Sequence, residues 1–104
     1  MNEQSELLRE VADLVAGERN KSYGSPFINL EERTASLWTA YLRANEDIWY
    51  KHGFNGVDVC NMMILLKMAR TMQNITTKDN YADMAGYAAA AWEIVNEHLS
   101  DPGF

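Results

Sequence analysis

The sequence predicts an all-α protein, a compact bundle of about four helices forming one domain over residues 1–104. Three observations carry that expectation. Apolar residues recur at three- and four-residue spacing in four separate stretches. Gly, Pro, Asn and Asp fall mostly between those stretches and punctuate them. No apolar/polar alternation competes as a strand. The 104 residues suit a single domain, and 47% hydrophobic with 23% charged residues is an ordinary globular balance.

The first helix is expected from Ser5 to Ala16, where Leu7, Leu8, Val11, Leu14 and Val15 make one stripe and Gly17 supplies a stop. Gly24 and Pro26 mark a turn after the polar run Arg19, Asn20, Lys21 and Ser22. Asn29 with Glu32 three residues on fits a capping pattern, so a second helix is expected from Leu30 to Arg43. Its apolar face is Leu30, Ala35, Leu37, Trp38, Tyr41 and Leu42.

A short helix is expected within Asn45–His52, with Ile48 and Trp49 inward, followed by the loop Gly53-Phe54-Asn55-Gly56. Asp58 reads as the N-cap of a third helix, Val59–Gln73. That helix is apolar almost all round, which places it at the centre of the fold and makes Asn61, Lys67 and Arg70 informative. A turn over Asn74–Lys78 leads to a fourth helix, Asn80–Leu99, rich in small residues. Gly86 inside it costs about 1 kcal/mol relative to Ala, for which close approach of another helix is the expected return.

The net charge of −6 argues against general nucleic-acid binding, which needs clustered Lys and Arg. It suits a solvated acidic surface, a carboxylate site that takes a cation, or a face that meets a basic partner. Cys60 stands alone in the sequence, so no intrachain disulfide forms. Met1–Glu10 has no apolar signal core, and no run approaches the roughly 20 apolar residues that span a bilayer. The expected location is the cytoplasm.

Chemistry concentrates on the hairpin of the third and fourth helices. Lys67 and Arg70 share one side of one helix; Asp79 and Asp83, four apart, share a side of the other, extended by Tyr87. Counting back from the turn sets Arg70 opposite about Asp83 or Met84, and Lys67 opposite about Tyr87. Two readings follow. Arg70 and Asp83 pair simply to satisfy charges on an apolar helix. Alternatively the groups converge on a ligand, with Lys67 and Arg70 on phosphate oxygens and Asp79 and Asp83 on Mg²⁺.

The loop Arg19–Pro26 is a second candidate. Lys21 brings charge, Tyr23 a stacking surface, and the start of the next helix offers amides to an anion. The remaining singular residues have plainer readings. Glu31 and Glu32 suit a helix dipole. Met62, Met63, Met68, Met72, Trp38, Trp49 and Trp92 suit a core, and Cys60 an inert buried thiol. His52 and His98 have no partner at metal-ligand spacing.

The stretches YGSPFINLEERTASLW, DVCNMMILLKMARTMQN and DNYADMAGYAA together resemble a small all-helical domain family of bacteriophages and prophages without an established function. The resemblance runs from about Glu18 to Ala91 and falls on Tyr23, Asn29, Arg33, Lys67, Arg70, Asp79, Asp83, Gly86 and Tyr87, among others. A looser similarity links the chain to the MazG-like all-α nucleoside-triphosphate pyrophosphohydrolases. That likeness implies an oligomeric bundle, Mg²⁺ held by helical Glu-x-x-Glu and Glu-x-x-Asp pairs, and water activated by the metal. Here Asn80-Tyr81-Ala82-Asp83 has Asn in place of the first Glu, and no clean Glu-x-x-Glu appears on the second or third helix, where Glu31-Glu32 is the nearest acidic substitute.

These readings lead to an expected nucleotide-directed phage protein, either cleaving a nucleoside triphosphate or binding one without cleavage. Lys21, Tyr23, Asn29, Arg33, Lys67, Arg70 and Tyr87 are its expected phosphate and nucleotide ligands, and Asp79 and Asp83 its Mg²⁺ ligands. The alternative is a non-enzymatic acidic phage protein that binds and inhibits a host protein. Self-association through the Ala- and Gly-rich face of the fourth helix is expected with either, and the place of action is the cytoplasm of the infected bacterium.

Overall fold

The computed structural model describes residues 2–16 and 25–99, all of their regular structure helical. Helix α1 is Glu3–Ala16. Helix α2 begins as a π-helix, Phe27–Thr34, and continues as an α-helix, Ala35–Ala44. Then follow α3 (Glu46–His52), α4 (Gly56–Gln73) and α5 (Lys78–His98). None of the described helices is long and apolar enough to cross a membrane.

The expected helices are present, and their starts differ for reasons of capping. Ser25, not Asn29, opens α2: its Oγ accepts from the Ile28 amide at 3.2 Å, and its carbonyl from the Asn29 amide. Pro26, already helical at φ −57°, sits where a missing N–H costs nothing. Asn29 is therefore inside the helix and buried. Likewise Asn55, not Asp58, caps α4. Asn55 Oδ1 accepts from the Asp58 amide at 3.0 Å while Asp58 Oδ2 accepts from the Asn55 amide at 3.1 Å, a reciprocal capping box.

Packing centres on the hairpin of α4 and α5, with α2 laid across α4; among the described residues α1 takes no substantial part in it. Trp38 ties α2 to α4 by donating its indole N–H to the Met62 carbonyl at 2.7 Å. Helix α3 is a short bracket after α2. Trp49 donates to the Leu42 carbonyl at 2.8 Å and its ring lies 5.4 Å from that of Phe54. Gly53 ends α3 with φ 75°, the left-handed conformation that favours glycine.

Two markers set the α4–α5 register. Lys67 pairs with Asp83, and a Cβ on Gly56 would come within 2.8 Å of Ile94 Cδ1. Both pairs are equidistant from Ile75 in sequence, at eight and nineteen residues respectively. The hairpin therefore folds about one helical turn away from the expected register, and Arg70 lies level with Asn80 rather than Asp83.

The fold is less compact than the sequence leads one to expect. Its radius of gyration is 17.1 Å, against about 13 Å for a compact domain of this length. Among the described residues only Cys60 and Ala69 are fully buried hydrophobics. Met68, Met72, Ile48 and Trp92, expected inside, are exposed. Gly86 faces outward, with nothing near the place of a Cβ.

Candidate functional site

The turn between α4 and α5 is tightly made. Asn74 Oδ1 accepts from both the amide and the hydroxyl of Thr76, at 3.0 and 2.7 Å, and Tyr81 donates its hydroxyl to the Ile75 carbonyl at 2.7 Å. Helix α5 then begins at Lys78 after Thr77, whose side chain makes no capping bond. Its first-turn amides are thus not taken up by the usual side-chain acceptor.

The π-helical start of α2 packs against α4 and reaches this same end of the hairpin. Arg33 Nη1 donates to Asn29 Oδ1 and to Gln73 Oε1, at 3.2 Å each, fastening α2 to the last turn of α4. Thr34 Oγ1 donates to the Asn29 carbonyl at 2.6 Å, and the Ala35 amide to the Leu30 carbonyl, both spanning five residues. Such wide turns are rare and recur at functional sites. Asn29 and Thr34 are both buried.

Asn80, in the first turn of α5, is 2% exposed, and its Nδ2 has no hydrogen-bond partner. It is the one buried side-chain polar atom so placed among the described residues. A buried donor left unpaired costs about 1–3 kcal/mol. One turn further on, Lys67 Nζ and Asp83 Oδ2 are 2.9 Å apart, with the lysine side chain 14% exposed and the carboxylate 46%. Tyr87 is half-buried on the same side of α5, a turn beyond Asp83.

The expected site residues are thus brought together in part. Arg33, Lys67, Arg70 and Asn29 gather toward the turn end of the bundle. Asp83 is held by Lys67, whereas Arg70 was the expected partner; the shifted register is the reason. Asp79 is exposed. Among the described residues no three His, Cys, Asp or Glu side chains converge as a metal would require. Lys21 and Tyr23 lie outside the described residues. Asn80 escaped the sequence reading as a ligand, although it was visible there as an Asn standing where the Glu-x-x-Asp pattern has its Glu. Two shallow surface hollows, of about 450 and 540 Å³, lie along α2 and beside α3, and neither is lined by any of these residues.

At the far end of α4 a second polar cluster forms around buried Asp58. Asp58 Oδ1 accepts from the Tyr41 hydroxyl at 2.6 Å and from Asn45 Nδ2 at 3.2 Å, while Asn61 Nδ2 donates to the Tyr41 oxygen at 3.2 Å. Burial, and then the bond to Asp58, push the Tyr41 hydroxyl above its ordinary range, so it remains a donor. With the Asn55 cap, this cluster knots α2, the α3 start and α4 together.

Fold and site define an all-helical domain with polar and cationic side chains at one end of its central hairpin. Residues 6–95 match the family described as "Domain of unknown function (DUF6378)", and the chain belongs to it. It is also similar to the "Gene 55 protein" of Mycobacterium phage D29, 37% identical over 91 residues, covering 88% of this chain and 54% of that protein. The protein of the same name from Mycobacterium phage L5 is 42% identical over 82 residues, covering 79% of this chain and 47% of its own length. The chain therefore spans about half the length of these curated relatives. No solved structure matches it.

Proposed function

We propose that the domain binds a phosphate-bearing small molecule, a nucleotide, at the α4–α5 turn and does not cleave it. The observation that carries this reading is the buried, unpartnered amide of Asn80 in the uncapped first turn of α5. An unpaired donor at a helix start suits an anionic acceptor, because the backbone dipole favours negative charge there. Arg33, Lys67 and Arg70 supply positive charge at the same end of an otherwise acidic chain. In this reading they take phosphate oxygens, and Asn29 orients Arg33. Lys21, Tyr23 and Tyr87 are proposed for the rest of the ligand.

The looser likeness to the MazG-like pyrophosphohydrolases supports a nucleotide as the phosphate carrier. A resident Mg²⁺ fits the described residues poorly, since Asp83 is engaged by Lys67 and no third acidic or imidazole ligand joins Asp79 and Asp83. This favours binding over hydrolysis.

The test is a thermal-shift panel of inorganic phosphate and nucleoside mono-, di- and triphosphates, each with and without Mg²⁺. A ligand at 100 times its Kd adds about 2.7 kcal/mol, a readable shift. The expected result is a shift with a nucleotide that Arg33→Ala and Asn80→Leu both abolish. A shift with inorganic phosphate alone would reduce the site to a simple anion site. A flat panel would sink the reading.

A further inference from the structure

The outer face of α5 is a surface that the proposed anion site leaves unused. Ala82, Ala85, Gly86 and Ala89 recur along it at three- and four-residue steps, all exposed, flanked by Trp92 at 63% exposure. A helix face this smooth admits a second helix at close range.

We propose that this face pairs antiparallel with the same face of a second copy of the chain, forming a two-fold dimer. Its residue order is self-complementary. About a point between Ala85 and Gly86, antiparallel pairing sets Ala82 beside Ala89 of the second copy and Lys78 beside Glu93 of the second copy, opposite charges on both edges. Two-fold symmetry makes each pairing twice, as an isologous interface requires. Lys78 and Glu93 are both exposed in the single chain.

Trp92, at the flank of the face, supplies a large exposed aromatic of the kind that interfaces favour.

Light scattering during size exclusion tests the proposal, with circular dichroism as the check on folding. The intact chain is expected at twice its own mass, and Ala89→Arg at the mass of one chain with unchanged helicity. Lys78→Glu and Glu93→Lys are each expected to weaken dimerisation about tenfold. The double variant, which only exchanges the two charges, is expected to restore it. A monomer at every concentration, a dimer that tolerates Ala89→Arg, or a double variant as weak as either single one would overturn the pairing. The charge exchange leaves the helix packing untouched, so it decides the matter even if Ala89→Arg fails to fold.

Discussion

At the first turn of α4, the carboxylate that the chain buries is met by a tyrosine hydroxyl, an asparagine amide and a backbone amide. At the other end of the hairpin, the asparagine that the chain buries keeps an amide with no partner. Both ends bring polar groups inside, and both cost desolvation. Only the Asp58 end recovers it within the chain. A closed network of that kind fastens elements together, and nothing is left over for a ligand. The Asn80 end retains an unmet donor, the condition under which an added acceptor gains the most.

The comparison breaks first at Asp58. Asp58→Ala would orphan Tyr41, Asn45 and the Asn55 amide together, and an expected loss of about 3–5 kcal/mol follows. Against a typical domain stability of 5–15 kcal/mol this is severe. Chemical denaturation measures it, and a loss under 1 kcal/mol would mean that the network is ornamental. Tyr41→Phe removes one donor and is expected to cost about 1–3 kcal/mol.

Tyr41 also gives this end a pH signature. Its folded pKa is raised above the ordinary 10.0. The folded state therefore holds the proton more tightly, and that contribution is fully present below pH 10. It is lost as pH rises through the higher folded value. Thermal melts between pH 7 and 11 are expected to show an alkaline decline in the intact chain that Tyr41→Phe lessens. Equal declines in both would place the titration elsewhere.

The Asn80 end predicts the opposite sign. Asn80→Leu exchanges an unpaired buried donor for an apolar group of similar size. The empty protein is expected to gain about 1–2 kcal/mol, several degrees in Tm for a domain this small. Nucleotide-induced stabilisation is expected to vanish in the same variant. A destabilised Asn80→Leu protein would instead show that the amide serves the fold, and the contrast between the two ends would disappear.

These ends were unequally legible in the sequence. Helical periodicity and Gly/Pro punctuation disclosed each helix of the described residues, because both act locally. The Asn55-x-x-Asp58 box was also local, and visible as Asn followed three residues later by Asp, yet Asp58 alone drew attention as a cap. Register was not local. Counting from the middle of the turn put Arg70 opposite Asp83, whereas the Asn74 side chain closes the turn early and centres the hairpin on Ile75. Three or four residues of error exchanged the expected ion-pair partner of Asp83, Arg70, for Lys67. Burial was least legible. Asn80 is inside and Trp92 outside because of where α2, α4 and α5 meet, which no spacing within one helix records.

The smallest expected effect on stability separates the two accounts of Asp83 most sharply. The Lys67–Asp83 pair is half-exposed on its acidic side, so Asp83→Asn is expected to cost less than about 1 kcal/mol. Its effect on binding depends on what Asp83 does. If Lys67 belongs to the phosphate set, as proposed, Asp83 competes with the ligand for that ammonium. Asp83→Asn then releases Lys67 and tightens nucleotide binding several-fold, most visibly at low salt, where charge is least screened. If Asp83 instead holds Mg²⁺, the same change abolishes the Mg²⁺-dependent part of the binding. Calorimetric titration of Asp83→Asn with and without Mg²⁺ reads both at once. Tighter binding in both titrations assigns the carboxylate to Lys67, and loss confined to the Mg²⁺ titration returns it to the metal.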